Sequence, residues 1–243
     1  MLIEACVNSA VSALEARRGG ADRVELCENL LEGGCTPSAG TIRQARKQLH
    51  IGLFVMIRPR GADFLYLDAE LEIMKQDILI AKTLGADGVV FGILKPDGSV
   101  DKERMGRLVE VARPMEVTCH RAFDMTADPF LAMEDLISLG VSRILTSGQQ
   151  KTAPEGVDLI RSLIEKSAGR IVVMPGGGIK EHNVVGLIIK TGATEIHVHL
   201  EKQEQSRMQY FQPSVHMGRS DQPEYSIAIT DAERIRKITD LLK

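Results

Sequence analysis

Val117-Thr118-Cys119-His120-Arg121-Ala122-Phe123-Asp124 is an apolar, β-prone run that breaks into a histidine, an arginine and an acid before a helical pattern begins. Charges at a strand end must be solvated or paired. Strands whose C-terminal tips carry reactive side chains belong to barrel and doubly wound enzyme scaffolds. The same grammar recurs on both sides of this stretch. Gly20-Ala21-Asp22, Gly85-Ala86-Asp87, Gly140-Val141-Ser142 and Gly192-Ala193-Thr194 each stop a helix before the next strand. Strands are expected near the N-terminus and at 24–27, 52–58, 88–92, 115–119, 143–145, 171–174 and 194–198. Helices alternate with them, at 9–18, 38–49, 69–84, 101–112, 155–166, 181–190 and 231–242, with one more opened by Asp128-Pro129.

Short β-branched strands alternating with helices imply a parallel sheet with right-handed crossovers. Eight such units in 243 residues fit an α/β fold of the (β/α)8 TIM-barrel type, one domain over 1–243. An open doubly wound sheet would carry G-x-G-x-x-G after its first strand, and none follows Cys6. Residues 200–229 break the rhythm as a long loop before the last helix. Such a loop suits either a surface excursion or a lid or oligomer contact.

Hydrophobic residues make up 44% and charged residues 26%, and the net charge is −3. That balance fits one large core and gives no basic excess for nucleic acid. No apolar run is long enough for a transmembrane helix, so no membrane partner is expected. The start, Met1 to Val7, reads as a strand rather than a signal peptide. Four cysteines in a chain of this length read as reduced thiols, which places the protein in the cytoplasm.

Strand residues two apart share a face. Glu4 with Cys6, Glu25 with Cys27, Met56 with Arg58, Glu116 with Thr118 and His120, and Glu195 with His197 therefore pair up. Inward-facing, they would gather Glu4, Glu25, Arg58, His120 and His197 at the barrel mouth, with Arg60, Arg121 and Asp124 in the adjoining loops. A plain structural reading is that Glu4 and Glu25 balance Arg58 and Arg121. A chemical one has Arg58, Arg60 and Arg121 holding a small anionic metabolite, with Glu25 or His120 as general acid or base and Asp124 orienting His120. Gly176-Gly177-Gly178 resembles half of a barrel phosphate site, to which Gly177 would bring a backbone N–H and Ser147 a hydroxyl. A tight turn explains the glycines equally well. His197 and His199 would lie about 6.7 Å apart on one face unless the strand bends there. Cys6 and Cys27 could approach within about 5 Å if their strands' registers match. A free cysteine is, however, among the most buried residue types, and spacing alone favours packing for Cys6 and Cys119.

Several stretches, in consistent order from Glu4 to about Tyr225, resemble the CutC copper homeostasis family. They are Gly20-Ala21-Asp22-Arg23-Val24-Glu25-Leu26-Cys27, Glu32-Gly33-Gly34 with Thr36-Pro37-Ser38, Met56-Ile57-Arg58-Pro59-Arg60-Gly61-Ala62-Asp63-Phe64, His120-Arg121-Ala122-Phe123-Asp124, Leu145-Thr146-Ser147-Gly148 and Met174-Pro175-Gly176-Gly177-Gly178. The detail is closer to animal than to enterobacterial members. The resemblance implies a TIM-type barrel, a cytoplasmic homo-oligomer and copper handling with Cu(I) as the bound ion. It implies Cys27 as the metal-binding cysteine, the position associated with copper in animal members. Ala62, Cys119, Cys35 and Val198-His199 depart from the usual pattern of the family. Two readings stand side by side: a copper homeostasis protein binding Cu(I), and a barrel isomerase, lyase or hydrolase acting on a small anion.

Overall fold

The computed structural model describes residues 1–215, 217 and 224–243. Strand β1 (Leu2–Val7) leads into helix α1 (Ala10–Arg18), capped by the Ser9 hydroxyl accepting from the Ser12 N–H. The unit then repeats. β2 (Arg23–Leu26), α2 (Ala39–Gln48), β3 (Gly52–Met56), α3 (Asp68–Thr83), β4 (Gly88–Val90) and α4 (Lys102–Ala112) make the first half. β5 (Glu116–Cys119), α5 (Pro129–Ser138), β6 (Arg143–Thr146), α6 (Val157–Ser167), β7 (Val172–Pro175), α7 (Val184–Thr191) and β8 (Glu195–Val198) complete the ring.

All neighbours in the order β7-β6-β5-β4-β3-β2-β1-β8 run parallel, and a bridge between Gly176 and His197 joins the ends. The expected (β/α)8 barrel is therefore the observed one. Period-two alternation splits the strands cleanly. Ile3, Ala5, Val7, Val24 and Leu26 face outward into the core shared with the helices, while Cys6, Cys27, Phe54, Met56 and Val90 cluster inside the barrel. Close approach explains one glycine: a Cβ on Gly88 would lie 2.5 Å from the Phe54 ring that fills the lumen.

The 200–229 segment is not a plain loop. Its ends zip into an antiparallel hairpin, β9 (Glu201–Gln205) against β10 (Ser226–Thr230), before helix α8 (Ala232–Leu242). Every residue of β9 is exposed, so no apolar alternation marks it in the sequence. The tip, 216 and 218–223, lies outside the described residues. No helix among the described residues is long and apolar enough to cross a membrane.

Candidate functional site

The C-terminal ends of the strands open into a cavity of about 620 Å³. Its floor is an ionic layer. Glu4 is fully buried; its carboxylate accepts from Arg23 and, at 2.7 Å, pairs with Nδ1 of His197. Arg23 continues to Glu195 at 2.6 Å, and Glu195 to Arg143 at 3.0 Å. Arg143 reaches Glu116 at 2.9 Å, and the two arginines flank the Phe54 ring at 4.7 and 5.0 Å. Burial alone would raise Glu4, but the His197 hydrogen bond and the Arg23 charge outweigh it and hold the carboxyl at about 2. His197 is the mirror case. Burial disfavours its charge, yet Glu25, Cys6 and Glu4 together push it well above 6.5, so the ring is an imidazolium.

The register Cys6↔Glu25 between β1 and β2 sets the next layer. It brings Sγ of Cys6 to 4.0 Å from Sγ of Cys27, and Sγ of Cys27 to 3.4 Å from Oε2 of Glu25. Nε2 of His197 stands 3.8 Å from the same carboxyl. The two thiols differ. Cys6, hydrogen-bonded by Cys27 and close to His197 and His199, is pulled well below the ordinary thiol value despite burial. The hydrogen bond between Cys27 and Cys6, and then burial, push Cys27 up. Burial likewise lifts Glu25 well above the ordinary carboxyl range, the His197 charge opposing it only in part. Two thiols shifted in opposite directions and a carboxyl that burial pushes up therefore meet beside His197.

Two groups of possible metal ligands follow: Cys6, Glu25 and Cys27, and Glu4, Glu25 and His197, each with ligand atoms within 4.8 Å of one another. Metal–thiolate bonds of roughly 2.3 Å span two sulfurs this far apart at a bent angle of about 120°. Cys6, which spacing alone assigned to packing, thus belongs to the site. Its place depends on strand register, which a single sequence does not carry; the Glu-x-Cys pattern on β1 and β2 was the available signal. Cys119 is packing, and burial pushes its thiol up to about 12. Gly34 fits at φ +90° against this site, where a Cβ would lie 3.2 Å from Sγ of Cys27.

Arg58 and His120 line the same cavity from β3 and β5. The Arg58 guanidinium donates to the carbonyls of Glu32, Gly34 and Ala62 at 2.7 to 2.9 Å and makes no ion pair among the described residues. Nδ1 of His120 accepts the Ala122 N–H at 3.2 Å. Burial, with the Arg58 charge second, depresses His120 to about 3, so the ring is neutral. Among the described residues, four buried side-chain atoms have no partner: Oε1 of Glu25, Nε of Arg58, Nε2 of His120 and Oη of Tyr66.

Other expectations are redrawn. Asp124 does not orient His120. Its carboxylate accepts from the Thr146 hydroxyl, from the Ser147 N–H and hydroxyl, and from the Gln149 N–H, and it pairs with Arg121 at 2.7 Å, pinning the loop after β6. Ser147 is fully buried in that network and faces no ligand space. Arg60 lies off the cavity, paired with Glu70 at 2.6 Å and Asp63 at 3.1 Å. Arg121 and Gly177 do line it. The balance of Glu4 and Glu25 against Arg58 and Arg121 is not the one found: Glu4 pairs with Arg23 and His197, and Arg121 with Asp124. His199, just past the end of β8 and two residues from His197, lines the same cavity, with Nδ1 3.4 Å from the Cys6 carbonyl.

The CutC family model matches residues 1–202. The copper homeostasis protein cutC homolog of Homo sapiens is 50% identical over 243 residues, covering 100% of this chain and 89% of that protein. A family protein CutC of Parabacteroides distasonis is 48% identical over 237 residues, covering 97% and 98%. Among solved structures, one assigned as the copper homeostasis protein CutC of Streptococcus agalactiae superposes with a TM-score of 0.78 at 36% identity, covering 81% of this chain and 97% of that one. A thiamine phosphate pyrophosphorylase from Pyrococcus furiosus, at TM-score 0.58 and 16% identity, shares the barrel fold alone.

Proposed function

The chain belongs to the CutC family of copper homeostasis proteins, and we propose that it binds Cu(I) between Cys6 and Cys27 at the mouth of its barrel. The observation that carries this reading is the 4.0 Å separation of two buried sulfurs. Soft thiolates suit Cu(I), and a buried pair excludes harder competitors that keep their water. Charge supports it as well. Cys6 is the more readily ionised of the two thiols, and loading expels the proton that Cys27 holds. The resulting Cu(I) dithiolate carries one net negative charge, opposite in sign to the neighbouring His197 imidazolium. Free thiols in all four cysteines fit a reducing compartment, on which the cytoplasmic assignment rests.

Titration of the reduced protein against a competing Cu(I) chelator tests the reading. One Cu(I) per chain is expected, with affinity reduced by several orders of magnitude in Cys27→Ala and in Cys6→Ala. Unchanged affinity in both variants would refute it.

A second reading, favoured by the unpartnered Oε1 of Glu25 and Nε2 of His120, is a barrel enzyme acting on a small anionic metabolite. Glu25 would be its acid, and a metabolite screen for turnover lost in Glu25→Gln tests it. Self-association, implied by the family resemblance, is read from the mass of the protein in solution.

A further inference from the structure

A buried cation without a counter-ion is expensive, and among the described residues Arg58 is one. It is 4% exposed, is held by three backbone carbonyls, and keeps Nε unpartnered. His120, also 4% exposed, presents a second idle donor. Because its Nδ1 accepts from the Ala122 N–H, the neutral ring carries its proton on Nε2, and that N–H meets no acceptor. The two groups share a wall. The Phe64 ring lies 5.1 Å from the Arg58 guanidinium carbon and 4.8 Å from the His120 ring. Gly92 leaves room for this, since a Cβ there would lie 3.0 Å from Nδ1 of His120.

We propose that Arg58 and His120 form a receptor for the carboxylate of a small organic acid, separate from the copper-binding thiols. Two free N–H donors and one formal charge match a carboxylate, which has two oxygens and one charge. A phosphate dianion would call for more of both. Leu30, Met56, Phe64 and Leu145 supply apolar cover for the carbon chain, in a cavity of small-molecule size. Glu25, buried with Oε1 unpartnered among the described residues, offers one further hydrogen bond to a polar group on that chain.

This proposal deepens the second reading above and rests on the same unpartnered atoms of Glu25 and His120, so binding is measured apart from turnover. Copper-free, reduced protein is titrated calorimetrically with acetate, butyrate and inorganic phosphate at constant ionic strength. Saturable carboxylate binding is expected, tighter for butyrate than acetate by roughly fourfold per buried methylene. His120→Asn keeps an acceptor for the Ala122 N–H but removes the idle donor. It should retain the ligand-free melting midpoint and bind about tenfold more weakly. Arg58→Gln should abolish binding. The receptor is overturned by absence of saturable carboxylate binding, by tighter binding of phosphate, or by wild-type affinity in His120→Asn. Carboxylate binding without turnover of any acid would support the receptor while sinking the enzyme.

Discussion

Replacing Glu4 with glutamine tests the ionic floor on which the thiol layer rests. The change keeps the side chain's shape and removes its charge. Glu4 is fully buried, so no solvent screening dilutes the effect. The fall of its carboxyl from 4.5 to about 2, at roughly 1.4 kcal/mol per pH unit, makes the ionised form worth about 3 kcal/mol to the folded state. Removing one partner of a buried ion pair costs about 3–5 kcal/mol, so two routes converge. Because the folded value is depressed, this stability is present above the unfolded carboxyl's value near 4.5 and is lost as pH falls toward about 2. Urea unfolding at pH 7 should show Glu4→Gln less stable by about 3 kcal/mol. The gap should hold down to about pH 5 and narrow below it. A gap under about 1 kcal/mol at pH 7, or one that widens on acidification, would refute the reasoning.

Cu(I) affinity should rise with pH by about tenfold per pH unit, because loading expels the Cys27 proton; chelator competition across neutral pH reads this slope. Gly34→Ala should cost about 1–3 kcal/mol from its φ of +90° and weaken copper binding by crowding Sγ of Cys27, both measurable on the purified variant. Asp124→Ala, by releasing the loop after β6, should destabilise by about 2–4 kcal/mol in urea unfolding while leaving Cu(I) affinity unchanged.

The barrel and the inward faces were legible in the sequence because strand alternation has a fixed period of two. Glu4, Glu25, Arg58, His120 and His197 could be gathered at one end from that alone. Register is another matter. Whether Cys6 sits beside Glu25 or a residue away follows from how β1 docks on β2, a tertiary fact with no local signature. Asp124 misled for a related reason. Its nearness to His120 in the chain suggested a partnership, whereas the 3₁₀ turn at Arg121–Met125 carries its carboxylate to the loop after β6. The β9–β10 hairpin escaped notice because Glu201-Lys202-Gln203-Glu204-Gln205 buries nothing and so shows no alternation. Arg58 looked like one member of a charge-balanced set, and only the positions of Arg23 and Asp124 leave it without an acid.

X-ray absorption at the copper edge of the Cu(I)-loaded protein tests the central claim most directly. A bent dithiolate predicts two sulfur neighbours per copper in the wild type, with Cys6→Ala and Cys27→Ala each losing one. A first shell of nitrogen and oxygen alone, or a sulfur count unaltered in both variants, would contradict it.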